Sequence, residues 1–180
     1  MSLPIKELAY ALKTYYPNAE RTEQIIINCA LTAAGANVVG GLVPGLAVAT
    51  TIVACFGAVW TMYVKLCRTL EISLTENALK LIAKAAIANI AANLGSVIAA
   101  SFIGLFIPGA SILASAAVGF ITVYLAGIIF LQLILKLAAK SSDRHSFSDI
   151  TISDMEREAS NVTVTKEDML KAKAAYKANK

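Results

Sequence analysis

The chain has 180 residues, of which 57% are hydrophobic and 16% are charged, and its mean hydropathy is +0.66. Globular proteins carry about 25% charged residues, so this composition disfavours an ordinary soluble domain and excludes a disordered chain. The net charge of +4 is too small to indicate a nucleic-acid partner. The length allows one domain with a tail.

The N-terminal segment, residues 1–18, predicts a short amphipathic helix. Apolar residues from Ile5 to Tyr16 recur on one helical face, and Pro17 ends the pattern. We expect this helix to lie at the cytoplasmic surface of a membrane.

Two long uncharged stretches, residues 24–64 and 85–135, dominate the middle of the chain. A helix that crosses the hydrocarbon core of a bilayer needs about 20 apolar residues, so each stretch is long enough for two. Residues 46–64 and 110–135 contain only a few polar side chains, and neither segment has a face that water could wet. We therefore predict that residues 19–140 form a helical-hairpin membrane domain.

A Pro-Gly pair lies near the middle of each uncharged stretch, Pro44-Gly45 in the first and Pro108-Gly109 in the second. Proline ends a helix and glycine permits the turn that follows, so both pairs are predicted hairpin turns. The predicted fold class is all-α: two long helical hairpins, an amphipathic N-terminal helix and a short C-terminal helix. The predicted arms span residues 19–42, 46–70, 76–106 and 110–139.

The placement of the positive charges predicts an orientation. Of the 16 Lys and Arg residues, three precede residue 24, four lie between Lys65 and Lys84, and nine lie from Lys136 onward. If both Pro-Gly turns lie on one side of a membrane, every positive charge lies on the other side. Such residues favour the cytoplasm, so we expect membrane localisation with both termini cytoplasmic. Hairpins that cross the bilayer and hairpins whose tips stop within it give the same pattern of charges. The sequence leaves both topologies open.

The C-terminal segment, residues 141–180, is polar and then basic. Residues 141–164 are rich in Ser, Thr and Asp and predict a linker with at most one brief helical turn after Ser153. A lysine-rich helix at about 166–178 follows. Lys and Arg near an anionic membrane are each worth about 1 kcal/mol, so we expect this helix to bind anionic head groups or a cytoplasmic protein partner.

Capping boxes predict the starts of two helices. In this pattern a hydroxyl and a carboxylate three residues later each accept a hydrogen bond from the other residue's backbone N–H group. Ser73 with Glu76 would begin the third arm, and Thr165 with Asp168 would begin the C-terminal helix. Both pairs mark boundaries rather than functional sites.

Small residues recur at every fourth position of the third arm and predict a helix-packing seam. Such residues let helices approach closely in lipid, so the seam would form within the hairpin or between copies of the chain in a homo-oligomer. Asn89 and Asn93 lie beside the seam and are expected to stabilise packing through hydrogen bonds. The uncharged stretch holds no Asp, Glu, Lys, Arg or His residue that would mark an ion path. The seam consists of Ala88, Ala92, Ser96, Ala100 and Gly104.

Patterns for catalysis and metal binding are missing from the sequence. Cys29, Cys55 and Cys67 form no CxxC pair or metal-ligand spacing, so buried free thiols are expected. His145 is the one histidine, and its place in a polar segment predicts a solvated side chain. We therefore predict no enzymatic activity, no cofactor and no metal.

Parts of the chain resemble the YcjF-like domain of unknown function, a bacterial membrane-associated helical family. The resemblance runs from about residue 42 to residue 137. It rests on Val43-Pro44-Gly45, on residues 63–75 and on residues 105–109 before a small-residue helix. Members of this family are often fused to, or encoded beside, Era-like and dynamin-like GTPases. The resemblance implies a non-enzymatic membrane module that serves a GTPase or another cytoplasmic partner through its tail.

The functional prediction is a non-enzymatic membrane-embedded anchor, scaffold or membrane-shaping module that contacts the lipid bilayer and associates with itself. One alternative is a small channel or holin-like pore, although no charged residue marks a path through the predicted membrane helices. The other alternative is a soluble all-α oligomeric interaction or effector protein, in which the apolar arms form the interior of a bundle.

Overall fold

A computed structural model describes the backbone of residues 4–40, 47–103 and 110–179, and the side chains of residues 4–36, 55–93 and 116–179. Within these ranges the chain has seven α-helices and no β-strand, which confirms the all-α fold class. The helices are α1 (Ile5–Leu12), α2 (Thr22–Gly40), α3 (Ala47–Thr69), α4 (Glu76–Ile103), α5 (Ala110–Lys140), α6 (Ile152–Ser160) and α7 (Lys166–Ala178). A short 3-10 turn, Ala19–Arg21, precedes α2.

The four long helices correspond to the four predicted arms. Each bound of α2, α3, α4 and α5 lies within three residues of its predicted position. The predicted hairpin turns at Pro44-Gly45 and Pro108-Gly109 fall outside the described residues.

Helix α5 lies at the centre of the bundle, and all six other α-helices pack against it. Its segment Ala116–Lys140 is the one described helix that is apolar and long enough to cross a membrane, with a mean hydropathy of 2.4. However, the rest of the chain buries 89% of an 18-residue apolar stretch within this segment. This segment of α5 is therefore apolar on all sides because other helices enclose it. The sequence prediction treated residues 141–164 as a linker and so missed part of this enclosure.

Two close contacts fix α2 and α3 on the central helix. The Tyr63 ring stacks on Phe130 with 4.4 Å between centroids, and its hydroxyl donates a hydrogen bond to the Ala126 carbonyl at 2.9 Å. On the α2 side, a Cβ atom added at Gly127 would lie 2.7 Å from the Ile26 Cγ2 atom. Glycine at this position lets α2 and α5 approach closely.

The N-terminal helix forms where the amphipathic pattern predicts it. α1 packs against α5 and buries Ile5, Leu8 and Leu12, and Tyr16 is buried just beyond its end. Its opposite face, which includes Tyr10, is exposed. α1 is thus an integral part of the bundle.

The C-terminal segment folds onto the long helices and differs from the predicted linker. The nine-residue helix α6 begins after Thr151, whose hydroxyl accepts a hydrogen bond from the Asp154 backbone. Met155 and Ala159 are buried one turn apart, and α6 packs against α4. The apolar face of α6 is short and is flanked by charged residues. The sequence pattern therefore did not indicate a helix of this length.

Helix α7 begins at the predicted residue and joins the core through an aromatic contact. Thr165 and Asp168 form the predicted capping box, so this prediction is confirmed. Tyr176 packs against Phe120 of α5 with ring centroids 5.1 Å apart. The described parts of the three segments 1–18, 19–140 and 141–180 therefore pack together.

The predicted capping box at the start of α4 is wrong by two residues. The Thr75 hydroxyl, and not that of Ser73, accepts a hydrogen bond from the Ala78 backbone N–H at 3.2 Å. Because α4 begins at Glu76, Ser73 lies too far upstream to cap it. The Ser73 backbone N–H instead donates to the His145 carbonyl at 2.6 Å.

Candidate functional site

The charged side chains of the long helices lie near one end of the bundle, which we call the base. Lys65 and Arg68 lie near the end of α3, Lys80 and Lys84 in the first turns of α4, and Lys136 in the last turns of α5. The α3–α4 and α5–α6 connections also lie at the base. The helix ends that lead to the predicted Pro-Gly turns carry no charged residue.

A hydrogen-bonded loop, residues 141–151, closes the base and is called the basal loop. The Asp149 carboxylate accepts hydrogen bonds from the Ser141 hydroxyl and from the backbone and hydroxyl of Ser142. The bond from Ser141 is the main reason why the pKa of Asp149 falls to about 2. The Ser146 hydroxyl and two backbone N–H groups lower the pKa of Asp143 in the same way. Both carboxylates therefore hold the loop in shape while they are ionised.

The basal loop also joins the N-terminal helix to the α3–α4 connection. The Tyr16 hydroxyl donates to the Arg144 carbonyl at 2.7 Å. The His145 ring lies edge-on to Tyr16, and its Nδ1 atom lies 3.0 Å from the Glu71 carbonyl. The predicted solvated histidine is thus exposed but also bridges two loops. These contacts assign it a structural role.

Asn89 and Asn93 connect α4 to the end of α6. The Asn89 amide is buried, and its Nδ2 atom lies 3.1, 2.8 and 2.8 Å from the carbonyl oxygens of Ala159, Ser160 and Val162. It thereby satisfies carbonyls that the end of a helix leaves without partners. Asn93 donates to the side-chain and backbone oxygens of Asn89 and so orients it. The sequence predicted that these amides stabilise packing through hydrogen bonds, but it did not identify the α6 carbonyls as their partners.

The small-residue seam is only partly described. Ala88 and Ala92 have exposed side chains on α4, so the rest of the described chain leaves them accessible. The side chains of Ser96 and Ala100, and the whole of Gly104, fall outside the described residues. The described end of the seam is therefore open to a second helix.

An open groove of about 230 Å³, called the α2–α3 groove, lies between these two helices. Small residues leave the space between the helices open. At Gly57, for example, an added Cβ atom would meet no atom within 4 Å. Lys65 is one of the lining residues, which places its charge beside the groove. The sequence did not reveal this groove, because only small residues on two separate predicted arms indicate it. The lining residues are Cys29, Thr32, Ala33, Ala36, Gly57, Ala58, Thr61 and Lys65.

The described residues offer no evident site for a metal. No group of three or more His, Cys, Asp or Glu side chains there is arranged to hold an ion. Cys29, Cys55 and Cys67 are buried, and none of them forms a disulfide bond, as predicted.

No protein-family model matches the chain, and no curated protein or solved structure matches it either. The resemblance to the YcjF-like domain therefore stays a prediction.

Proposed function

We propose that the chain is a non-enzymatic membrane anchor or scaffold, with its charged base in the cytoplasm and its uncharged hairpin ends in the bilayer. The supporting observation is the course of the long helices beyond the base. In α4, for example, the last charged residue is Lys84, yet the helix continues to Ile103. Helices of water-soluble bundles carry polar residues along their whole exposed face, whereas an uncharged extension is typical of a segment in lipid.

Helix lengths favour hairpins that enter the bilayer and stop within it. Ile90 is the last buried residue among the described side chains of α4, and the 13 residues from there to Ile103 span about 20 Å. Ala116 on α5 is also buried, and the six residues from Ala110 that precede it span about 9 Å. Both lengths are shorter than the roughly 30 Å of a hydrocarbon core.

A cytoplasmic partner is suggested by the family resemblance and by the charge of α7. Lys166 and Lys177 are exposed on this helix, while Tyr176 attaches it to α5. We propose that a cytoplasmic protein, of the GTPase class that the resemblance implies, binds this basic surface.

Flotation with vesicles tests the anchoring role. Purified full-length protein should float with phosphatidylcholine vesicles, because the hairpin ends need only hydrocarbon. The substitution Ile107→Asp puts a charge beside the second predicted turn, at a cost of about 2.5–3.5 kcal/mol, and should lower the floated fraction strongly. Leu170→Asp is the matched control, since Leu170 is 61% exposed on α7. Equal flotation of both variants, or wild-type protein that stays in the bottom fractions of the gradient, would refute anchoring.

Cross-linking tests self-association through the seam. The substitution Ala92→Cys should give disulfide-linked dimers in membranes, because Ala92 is exposed on the proposed contact face. Thr61→Cys, at an exposed position on α3, should not. Equal cross-linking at both positions would argue against this seam.

A second candidate function is that of a soluble all-α interaction protein. The burial of Ala116–Lys140 favours it, since the most apolar described helix needs no lipid to cover it. In that case the uncharged hairpin ends would pack against another copy of the chain. Recovery of the protein in the supernatant as a defined oligomer, without detergent, would support this candidate over the anchor.

A further inference from the structure

The size of the α2–α3 groove indicates a narrow occupant. Its volume of about 230 Å³ is below the roughly 300–1,000 Å³ of pockets that bind drug-sized molecules. Gly57 and Lys65 mark its length on α3, eight residues or about 12 Å along the helix. A space of this length and volume suits a single flexible chain better than a ring compound.

The walls of the groove are largely apolar, with one charge. Ala33, Ala36 and Ala58 provide methyl groups, while Lys65 is the one charged residue in the lining. Lys65 forms no salt bridge with any described residue, and its side chain is exposed. Arg68 lies one turn further toward the base and is also exposed. An apolar groove with a cation at one end is complementary to an acyl chain with an anionic head group.

We propose that the α2–α3 groove binds an anionic phospholipid, with one acyl chain between the helices and the phosphate beside Lys65. The proposal rests on the anchoring function, because the lipid enters from the bilayer that surrounds the hairpin ends. The orientation of the lipid in the groove agrees with the anchoring function. The acyl chain points toward the hairpin ends and the head group toward the base, as for a lipid in the cytoplasmic leaflet.

Lipid retention measured by native mass spectrometry tests the groove. Full-length protein in detergent is supplied with equal amounts of phosphatidylglycerol and phosphatidylcholine and is then released from the micelle. We expect one phosphatidylglycerol per chain, in preference to phosphatidylcholine. Lys65→Gln should lower phosphatidylglycerol retention about fivefold, the equivalent of about 1 kcal/mol for one basic residue. Lys84→Gln, at an exposed lysine on α4, is the matched control and should change nothing.

A second variant tests the acyl-chain part of the groove. Gly57→Leu fills the space between α2 and α3, and should lower the retention of both lipids at least about tenfold because it displaces two or more methylene groups. The fold should tolerate it, since a Cβ atom at Gly57 has no neighbour within 4 Å. Gly35→Leu is the control, because Gly35 is equally open on α2 but does not line the groove.

The outcomes separate this proposal from the anchoring function. Equal retention of the two lipids by the wild type, or Gly57→Leu retention equal to that of Gly35→Leu, would overturn lipid binding in the groove. Flotation of the same variants with pure phosphatidylcholine vesicles reports anchoring alone, and all four should float like the wild type. A protein that retains phosphatidylglycerol at Lys65 but does not float would refute the anchor and leave the groove assignment standing.

Discussion

Asn89 is the residue that ties the C-terminal segment to the long helices. Its amide faces three carbonyl oxygens at the end of α6, in a buried position. Replacement by alanine leaves these carbonyls without a donor, and an unsatisfied buried polar group costs about 1–3 kcal/mol. We expect Asn89→Ala to lower the free energy of unfolding, measured with urea, by about that amount.

Asn77→Ala is the control for this substitution, since Asn77 is exposed on the same helix. Alanine has the higher helix propensity, so this variant should be as stable as the wild type or slightly more stable. Equal unfolding midpoints for the Asn89→Ala and Asn77→Ala variants would contradict the role given to Asn89.

Glycine positions in α3 and α5 should respond to substitution in opposite directions. Gly127→Ala places a methyl group 2.7 Å from the Ile26 Cγ2 atom, and overpacking of this kind costs about 1–3 kcal/mol. Gly57→Ala meets no neighbour and should raise the unfolding free energy by up to about 1 kcal/mol. A second substitution, Ile26→Ala, should cost less in the Gly127→Ala background than alone. Additive effects in this double-mutant cycle would contradict the close approach of α2 and α5.

The basal loop should make the protein sensitive to acid. The folded-state pKa of Asp149, about 2, lies below its ordinary value of 3.8, so the unfolded chain takes up the proton more readily. The stabilisation from Asp149 is complete above about pH 4 and disappears as the pH falls toward 2. Asp149→Asn lacks this contribution at every pH. The gap in unfolding free energy between wild type and variant should therefore close between pH 4 and pH 2, and a gap independent of pH would contradict the account.

Inspection of the sequence predicts some helices better than others. The bounds of α4 and α5 follow closely from Pro-Gly pairs and long apolar runs, because these signals are local. α6 is different: its few apolar residues form a helix face only where α4 covers them, and Asn89 supplies its C-terminal cap from 70 residues away. Contacts between distant segments of this kind leave little trace in a single sequence.

Hydropathy alone did not distinguish a lipid-facing helix from a core helix. Ala116–Lys140 has the composition of a membrane span, yet protein surrounds it. The surrounding helices come from both ends of the chain, and the sequence predicted only a linker where α6 lies. The α2–α3 groove escaped prediction for a related reason, since it exists only once Gly57 on α3 lies opposite the alanines of α2.

The central claim is that the uncharged hairpin ends lie in lipid while the base lies in water. An environment-sensitive fluorophore on a single introduced cysteine tests it directly, in a protein whose three native cysteines are replaced. With vesicles present, a label at Gly109→Cys should shift to shorter wavelength and be quenched by lipids brominated along their acyl chains. A label at Lys84→Cys should keep its emission in water. Identical, unquenched spectra at both positions would contradict the account.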